Sequence, residues 1–413
     1  MKRIVFFSIP LFGHVNYGLK IAKELKGNGY EVIYYSGTAY KQFIDDAGIV
    51  FQPYSKEIET LFSFKDSAYN NEYMQNIRAE KLDHIYEWFK FCHHVYSIAD
   101  IFMRIDINEM LQPDLVVYDS AALWGRYVSK HWGVNSIASC TPYTYPEKYA
   151  YEDLHRFSRL IFQKNLDKLE VKRLIHILNY KLEHAFLNLS PCSIFEPLSP
   201  RADYKFIYTV KEFQSGCEYM DLDTTFFCGI MYENEKTTVD YSDWVSSSVP
   251  TVYIAFGSIY NNASVFQQIY ENCKHLNYNF ILNIGETLDS SIFAHLPSNW
   301  KVVKHLNQLE LLKLVTVFVS HGGVNSVREA MHCGVPIIVL PTEGDTLCIA
   351  EDIKEKKLGV VLNISNIDSI GLAVEKLIRN KMIKENCNKL SRIMQHSAGL
   401  CGVVDIIKKI MKE

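Results

Sequence analysis

The segment His321-Gly322-Gly323-Val324-Asn325-Ser326-Val327-Arg328-Glu329 gathers an imidazole, two glycines, an amide, a hydroxyl and a carboxylate in one short stretch. It lies between the apolar run Leu314-Val315-Thr316-Val317-Phe318-Val319-Ser320 and a second, Val335-Pro336-Ile337-Ile338-Val339-Leu340. Such an order predicts a strand, a glycine turn, a helix and another strand. The first turn of a helix offers unpaired N–H groups and a partial positive charge, and glycines let an anion approach the backbone. With His321, Asn325 and Ser326 as added donors, the predicted ligand is a diphosphate. The spacing lacks the third glycine of the dinucleotide fingerprint and the Gly-Lys-Ser/Thr of the P-loop.

A second chemistry is written nearer the amino terminus. His14 follows Gly13 just after the strand-like run Lys2-Arg3-Ile4-Val5-Phe6-Phe7-Ser8-Ile9-Pro10, and Asp119 closes the run Asp114-Leu115-Val116-Val117-Tyr118-Asp119. Both positions fall at the carboxyl ends of predicted strands, the edge at which open α/β sheets bind ligands. An imidazole there can take a proton from a hydroxyl nucleophile, and a carboxylate can orient it and stabilise its charged form. The plainer alternatives are a turn-bonding histidine and a helix-capping aspartate.

The elements that position these groups alternate between strand-like apolar runs and helical patterns, as in parallel sheets covered by helices on both faces. A helix from about Val15 is expected to end at Gly27-Asn28-Gly29, with the next strand over Glu31–Ser36. Segments 55–110 and 143–200 are aromatic-rich at helix-like spacing, as in Ile85-Tyr86-Glu87-Trp88-Phe89-Lys90-Phe91-Cys92-His93-His94, and are expected to be mainly core. The polar stretch 233–249 breaks the periodicity and reads as a linker between domains 1–232 and 250–395. A last helix is expected over about Gly402–Lys412, within a terminal segment 396–413.

Composition bounds the function. A chain of 413 residues suits two domains, and a net charge of −4 argues against a general nucleic-acid binder. The 10 cysteines are scattered without a CxxC pair or a Cys/His metal spacing, so reduced thiols, no structural zinc and a cytoplasmic setting are expected. The apolar start ends at Pro10 and reads as a strand rather than a signal peptide. No run has the length of a membrane span, which leaves peripheral membrane contact open.

The His321–Glu329 segment resembles the signature of the family 1 glycosyltransferases, the UDP-glycosyltransferases, and most closely their bacterial macrolide-glycosyltransferase branch. Gly13-His14-Val15-Asn16 is similar to that family's Gly-His-Val-Asn-Pro turn, with Tyr17 in the place of Pro. Asp114–Ser120 and the Thr251–Ser258 run, ending Ala255-Phe256-Gly257-Ser258, resemble two further family strands. The resemblance implies the GT-B fold, two Rossmann-like, doubly wound parallel-sheet domains facing across a cleft. It also implies a UDP-sugar, or a dTDP-sugar, as co-substrate, with no further cofactor and no metal.

By the same resemblance His14 is the general base, assisted by Asp119. Donor contacts fall to Ser258, His321, Gly322, Gly323, Asn325, Ser326, Glu329 at the ribose, Gln308 at the uracil edge and Asp345 at the sugar hydroxyls. Where many members have a stacking Trp this chain has His305, and Asn307 stands in the place of Pro. Thr346 replaces a usual amide and Ile349 a frequent Asn, which leaves the sugar open. Direct displacement implies inversion, from an α-linked donor to a β-glycoside. The aromatic richness of the first domain suits a small hydrophobic acceptor such as a polyketide, macrolide or phenol. Two rivals stand beside this reading: a lipid glycosyltransferase at a membrane surface, marked by an exposed apolar and basic patch, and a non-catalytic nucleotide-sugar-binding protein. Oligomeric state is not written in the sequence.

Overall fold

Residues 1–62, 83–232, 241–245, 248–257, 262–286, 288–293 and 295–411 are described by a computed structural model. The chain divides into two compact units, Met1–Glu233 together with Ser397–Glu413, and Asn234–His396. Residues 233–240 and 246–247 of the expected linker lie outside the described residues. Its described part belongs to the second unit: Tyr241 is buried, its hydroxyl accepts the Asn307 N–H at 2.8 Å, and Lys301 Nζ lies 4.2 Å from the Trp244 ring centroid.

Seven parallel strands form the sheet of the first unit: β1 (Arg3–Phe7), β2 (Glu31–Ser36), β3 (Val50–Pro53), β4 (Leu115–Asp119), β5 (Asn135–Cys140), β6 (Tyr204–Ile207) and β7 (Thr225–Phe227). Their order is β3-β2-β1-β4-β5-β6-β7. Every residue of β4 is buried, as expected where helices cover both faces and the strand reads as a continuous apolar run. After β3 the chain returns to the other side of β1, so β1 and β4 lie side by side with their connections leaving in opposite directions. That reversal opens a crevice at the carboxyl ends of the two strands. The register pairs Phe7 with Tyr118, which puts Asp119 level with the point where β1 gives way to Ser8.

The second unit repeats the plan with six parallel strands, β8 (Thr251–Ala255), β9 (Asn279–Asn283), β10 (Trp300–Val303), β11 (Val317–Ser320), β12 (Ile337–Val339) and β13 (Gly359–Val361). The order β10-β9-β8-β11-β12-β13 places its reversal between β8 and β11. Two Rossmann-like α/β units of this kind are the architecture of the GT-B fold.

Three local expectations shift. The first helix runs Phe12–Gly27, so His14 sits inside its opening turn rather than before it. The backbone N–H groups of His14 and Val15 both reach Leu11 O, at 2.9 and 3.0 Å, which starts the helix three residues early. The last helix is Gly399–Ile410. Within Ile85–His94 only Cys92 is fully buried, because the apolar stripe of helix His84–Arg104 runs through Cys92, Val95, Tyr96, Ala99 and Phe102. Segment 63–82 of the aromatic region lies outside the described residues.

The last helix completes the core of the first unit. Leu400, Val403, Val404, Ile407 and Ile410 join the cluster formed by Val15, Leu19, Ala22 and Leu25 of the first helix with Ile4 and Phe6 of β1. Gly399 N–H donates to Cys228 O at 2.8 Å, and Lys2 Nζ donates to Met411 O. Five buried aliphatic side chains contribute on the order of 10 kcal/mol before the conformational cost of ordering the helix is subtracted.

Candidate functional site

The reversal between β1 and β4 holds the expected base and its carboxylate. Asp119 is buried at the end of β4, where Oδ2 accepts from His14 Nδ1 and Oδ1 accepts the Ala121 N–H at 2.7 Å. A carboxylate so placed assigns the proton to Nδ1 and leaves Nε2 as the basic nitrogen of the ring. Thr141, just past β5, brings Oγ1 to 3.2 Å from the same Nδ1. Neighbouring strand ends are held by Tyr54, whose hydroxyl lies 3.2 Å from the carbonyl oxygens of Ser8 and Tyr35 and accepts from Trp124 Nε1 at 3.2 Å.

The sequence reading named His14 and Asp119 but not Thr141. Its position, a hydroxyl residue directly after a strand adjacent to β4, is the signal that strand-end logic offers.

In the second unit the reversal between β8 and β11 is built around His321 and glycines. Gly322 has φ +92°, and a Cβ on it would stand 2.8 Å from Val339 Cγ1. A Cβ on Gly323 would stand 2.8 Å from His321 Nε2, and one on Gly257, at φ +71°, would stand 3.3 Å from His321 Cε1. The imidazole therefore packs into space that two glycines leave open, with Phe256 on another side at 6.5 Å between ring centroids. Burial pushes the His321 pKa down to about 4, so at neutral pH the ring is uncharged and meets an anion as an N–H donor rather than as a cation. Helix Val324–His332 begins directly after, with Gly323 as its N-cap.

Around that helix the remaining candidates fall into two groups. Gln308 opens helix Gln308–Leu312 and donates to Glu329 Oε2 at 2.7 Å and to Ser326 Oγ at 3.1 Å, while its Oε1 accepts from Tyr253 OH at 3.2 Å. Its amide thus organises Ser326 and Glu329 within one network, a coupling the sequence did not reveal. Asn325 Oδ1 accepts from the buried Arg328 Nη1 at 3.4 Å. Thr346 is buried, its Oγ1 accepting the N–H groups of Thr342 and Glu343 at 3.1 Å and donating to Glu343 O at 2.7 Å. Its hydroxyl holds the turn that presents Asp345, which opens helix Asp345–Glu355. His305 is exposed beyond β10, and Ser258 lies outside the described residues.

Among the described residues no group of three or more His, Cys, Asp or Glu side chains is placed to hold a metal ion. None of their helices is long and apolar enough to cross a membrane.

The chain as a whole finds counterparts among known proteins. A family model described as UDP-glucoronosyl and UDP-glucosyl transferase matches residues 143–398, more than half of the chain. The chain is 22% identical over 416 residues to an uncharacterized UDP-glucosyltransferase, YojK, of Bacillus subtilis (strain 168), covering 100% of this chain and 98% of that protein. It is 23% identical to a demethyllactenocin mycarosyltransferase of Streptomyces fradiae, with 100% of this chain and 87% of the other covered. In fold it is similar to the crystal structure of CalG4, a calicheamicin glycosyltransferase, at a TM-score of 0.75 and 19% identity over 100% of this chain and 99% of that one. The bacterial origin of both relatives agrees with the branch that the motifs resemble. A family match that begins near the end of β5 and runs through the whole His321–Glu329 cradle makes this chain a member of the UDP-glucoronosyl and UDP-glucosyl transferase family, the glycosyltransferases that move a sugar from a nucleotide-sugar donor to an acceptor.

Proposed function

We propose that this glycosyltransferase inverts: an acceptor hydroxyl, deprotonated by His14 Nε2, attacks the anomeric carbon of an α-linked UDP-sugar and yields a β-glycoside in a single displacement. The observation that carries the reading is the His14 Nδ1–Asp119 Oδ2 contact at the reversal between β1 and β4. The buried carboxylate favours the imidazolium that forms as the proton is taken, which lowers the barrier for a weakly nucleophilic hydroxyl. The acceptor then belongs to the first unit and the donor to the second.

On the donor side, the charge of the departing diphosphate meets the first-turn N–H groups of helix Val324–His332, the neutral His321 N–H and the side chains of Asn325 and Ser326. Ser258 would add a hydroxyl at the end of β8. Glu329, held by Gln308, accepts the ribose hydroxyls, Asp345 accepts from the sugar, and His305 stacks on the base. In this scheme the N–H donors carry the leaving charge, so the chemistry requires neither metal nor cofactor.

A small hydrophobic acceptor is supported by the likeness to transferases named for demethyllactenocin and calicheamicin. Release of the nucleoside diphosphate, UDP or dTDP, is to be measured across UDP- and dTDP-sugars with macrolide and phenolic acceptors, for the native chain and His14→Ala. Acceptor-dependent release that His14→Ala abolishes, with a β-linked product, supports the reading. An α-linked product, or turnover unchanged in His14→Ala, overturns it.

A further inference from the structure

Helix Lys168–Ala185 of the first unit buries Val171, Ile175, Leu178 and Leu182, all on one side at 100° per residue. Its opposite ridge, built on Leu169, Arg173, Ile177 and Tyr180, faces outward. Leu169 is 57%, Ile177 47% and Tyr180 54% exposed, and Leu187, just past the helix end, is 70% exposed. Exposed aliphatic and aromatic side chains scattered singly over a surface need no explanation, but three on one helix face, with a fourth just past its end, do. The row is flanked by charge. Between Val171 and Asn188 the exposed charged side chains are Lys172, Arg173 and Lys181, and none is acidic.

Two exposed acids stand beside Leu169 at the start of the helix. Asp167 and Glu170 close on each other's backbone in a capping box at the helix start, with Glu170 Oε2 accepting the Asp167 N–H at 2.9 Å. Glu183 is half-buried near Cys192, whose thiol pKa is pushed upward first by burial and then by the charges of Glu196 and Glu183. A positive, apolar ridge thus stands on a chain whose net charge is −4.

We propose that this ridge is a docking surface for an anionic phospholipid bilayer. Leu169, Ile177, Tyr180 and Leu187 enter the headgroup–acyl boundary, while Lys172, Arg173 and Lys181 lay their aliphatic stems along it and reach the phosphates. Charge complementarity is what selects this occupant. An apolar ridge alone would fit a second copy of the chain, but one whose exposed flanking charges from Lys172 onward are all positive meets like charge in the same ridge of a partner and opposite charge at an anionic membrane. An apolar acceptor dissolved in the bilayer would then meet the unit that carries His14. The proposal is independent of the donor and base assignments, because it predicts binding without turnover.

The test is flotation of the native chain with vesicles of phosphatidylglycerol and phosphatidylcholine, against phosphatidylcholine alone, at low and high salt. Binding to the anionic vesicles that salt weakens is expected. Lys172→Gln/Arg173→Gln/Lys181→Gln should lower partitioning by about fivefold per residue, about a hundredfold together. Ile177→Asp/Tyr180→Asp should abolish it with an unchanged thermal midpoint, since these side chains leave the core untouched. A native chain that does not float, or a triple variant that floats as well as the native chain, overturns the proposal. So does a dimer, seen by sedimentation velocity, that Ile177→Asp separates while vesicle binding is absent.

Discussion

The reversals between β1 and β4 and between β8 and β11 occupy the same place in two sheets of the same plan, yet they are furnished in opposite ways. The first pairs a buried carboxylate with an imidazole, so it holds charge ready for a proton. The second surrounds an imidazole with glycine backbone and keeps it neutral, with a pKa near 4, so it holds dipoles ready for an anion. On the proposed reading, one topology serves proton transfer or anion binding according to what lines the crevice. A carboxylate beside a histidine favours the cation, and desolvation disfavours it.

The sharpest way to break this contrast is His14→Ala, which should cut the rate of transfer by about 10²- to 10⁴-fold while leaving the Kd for UDP unchanged. A parallel loss of UDP affinity in titration calorimetry would mean that the two crevices do not divide the labour. Asp119→Asn should lose most of the same factor through kcat, and adding it to His14→Ala should cost little more, because the two act as one unit.

On the other side, Glu329→Ala should raise the Kd for UDP by about 10- to 100-fold, the value of a hydrogen bond to a charged group, with a smaller rise for Gln308→Leu. Equal affinity of Glu329→Ala for UDP and 2′-deoxy-UDP, where the native chain prefers UDP, would sharpen the assignment to the ribose. Gly323→Ala forces the His321 ring to move, and a rise in donor KM of about tenfold is expected with kcat for bound donor little changed.

The smallest effect is on stability. Because the folded pKa of His321 lies below its ordinary value of 6.5, stability is full above pH 6.5 and is lost as pH falls toward 4, where only the unfolded chain has been free to take the proton. His321 is only partly buried, so the loss between pH 7 and pH 5 should be about 1 kcal/mol, below the roughly 2 that the full shift corresponds to over that interval. Urea unfolding of the native chain and of His321→Gln would show it, and identical pH profiles would refute the burial argument.

Much of the fold was legible because parallel strands buried on both faces write themselves as unbroken apolar runs. Leu115–Asp119 and Val317–Ser320 could be read directly, and their turn glycines marked where the backbone is approached closely. Less legible was anything that depends on which strands become neighbours. Thr141 reaches His14 only because β5 lies beside β4, and Gln308 reaches Glu329 only because helix Gln308–Leu312 packs against helix Val324–His332. Periodicity predicted that the aromatic run 85–94 was helical but not that its burial begins at Cys92, since a helical stripe tells which face is apolar and not how far a partner extends along it.

The helix Gly399–Ile410 gives the chain an order of assembly opposite to its numbering. A ribosome delivers all of Asn234–His396 before it delivers the five side chains that finish the core around the first helix. The later-numbered unit is thus ready to fold while the earlier one still shows an apolar face to chaperones, so a chain stalled between residues 396 and 399 carries a complete second unit and an unfinished first one.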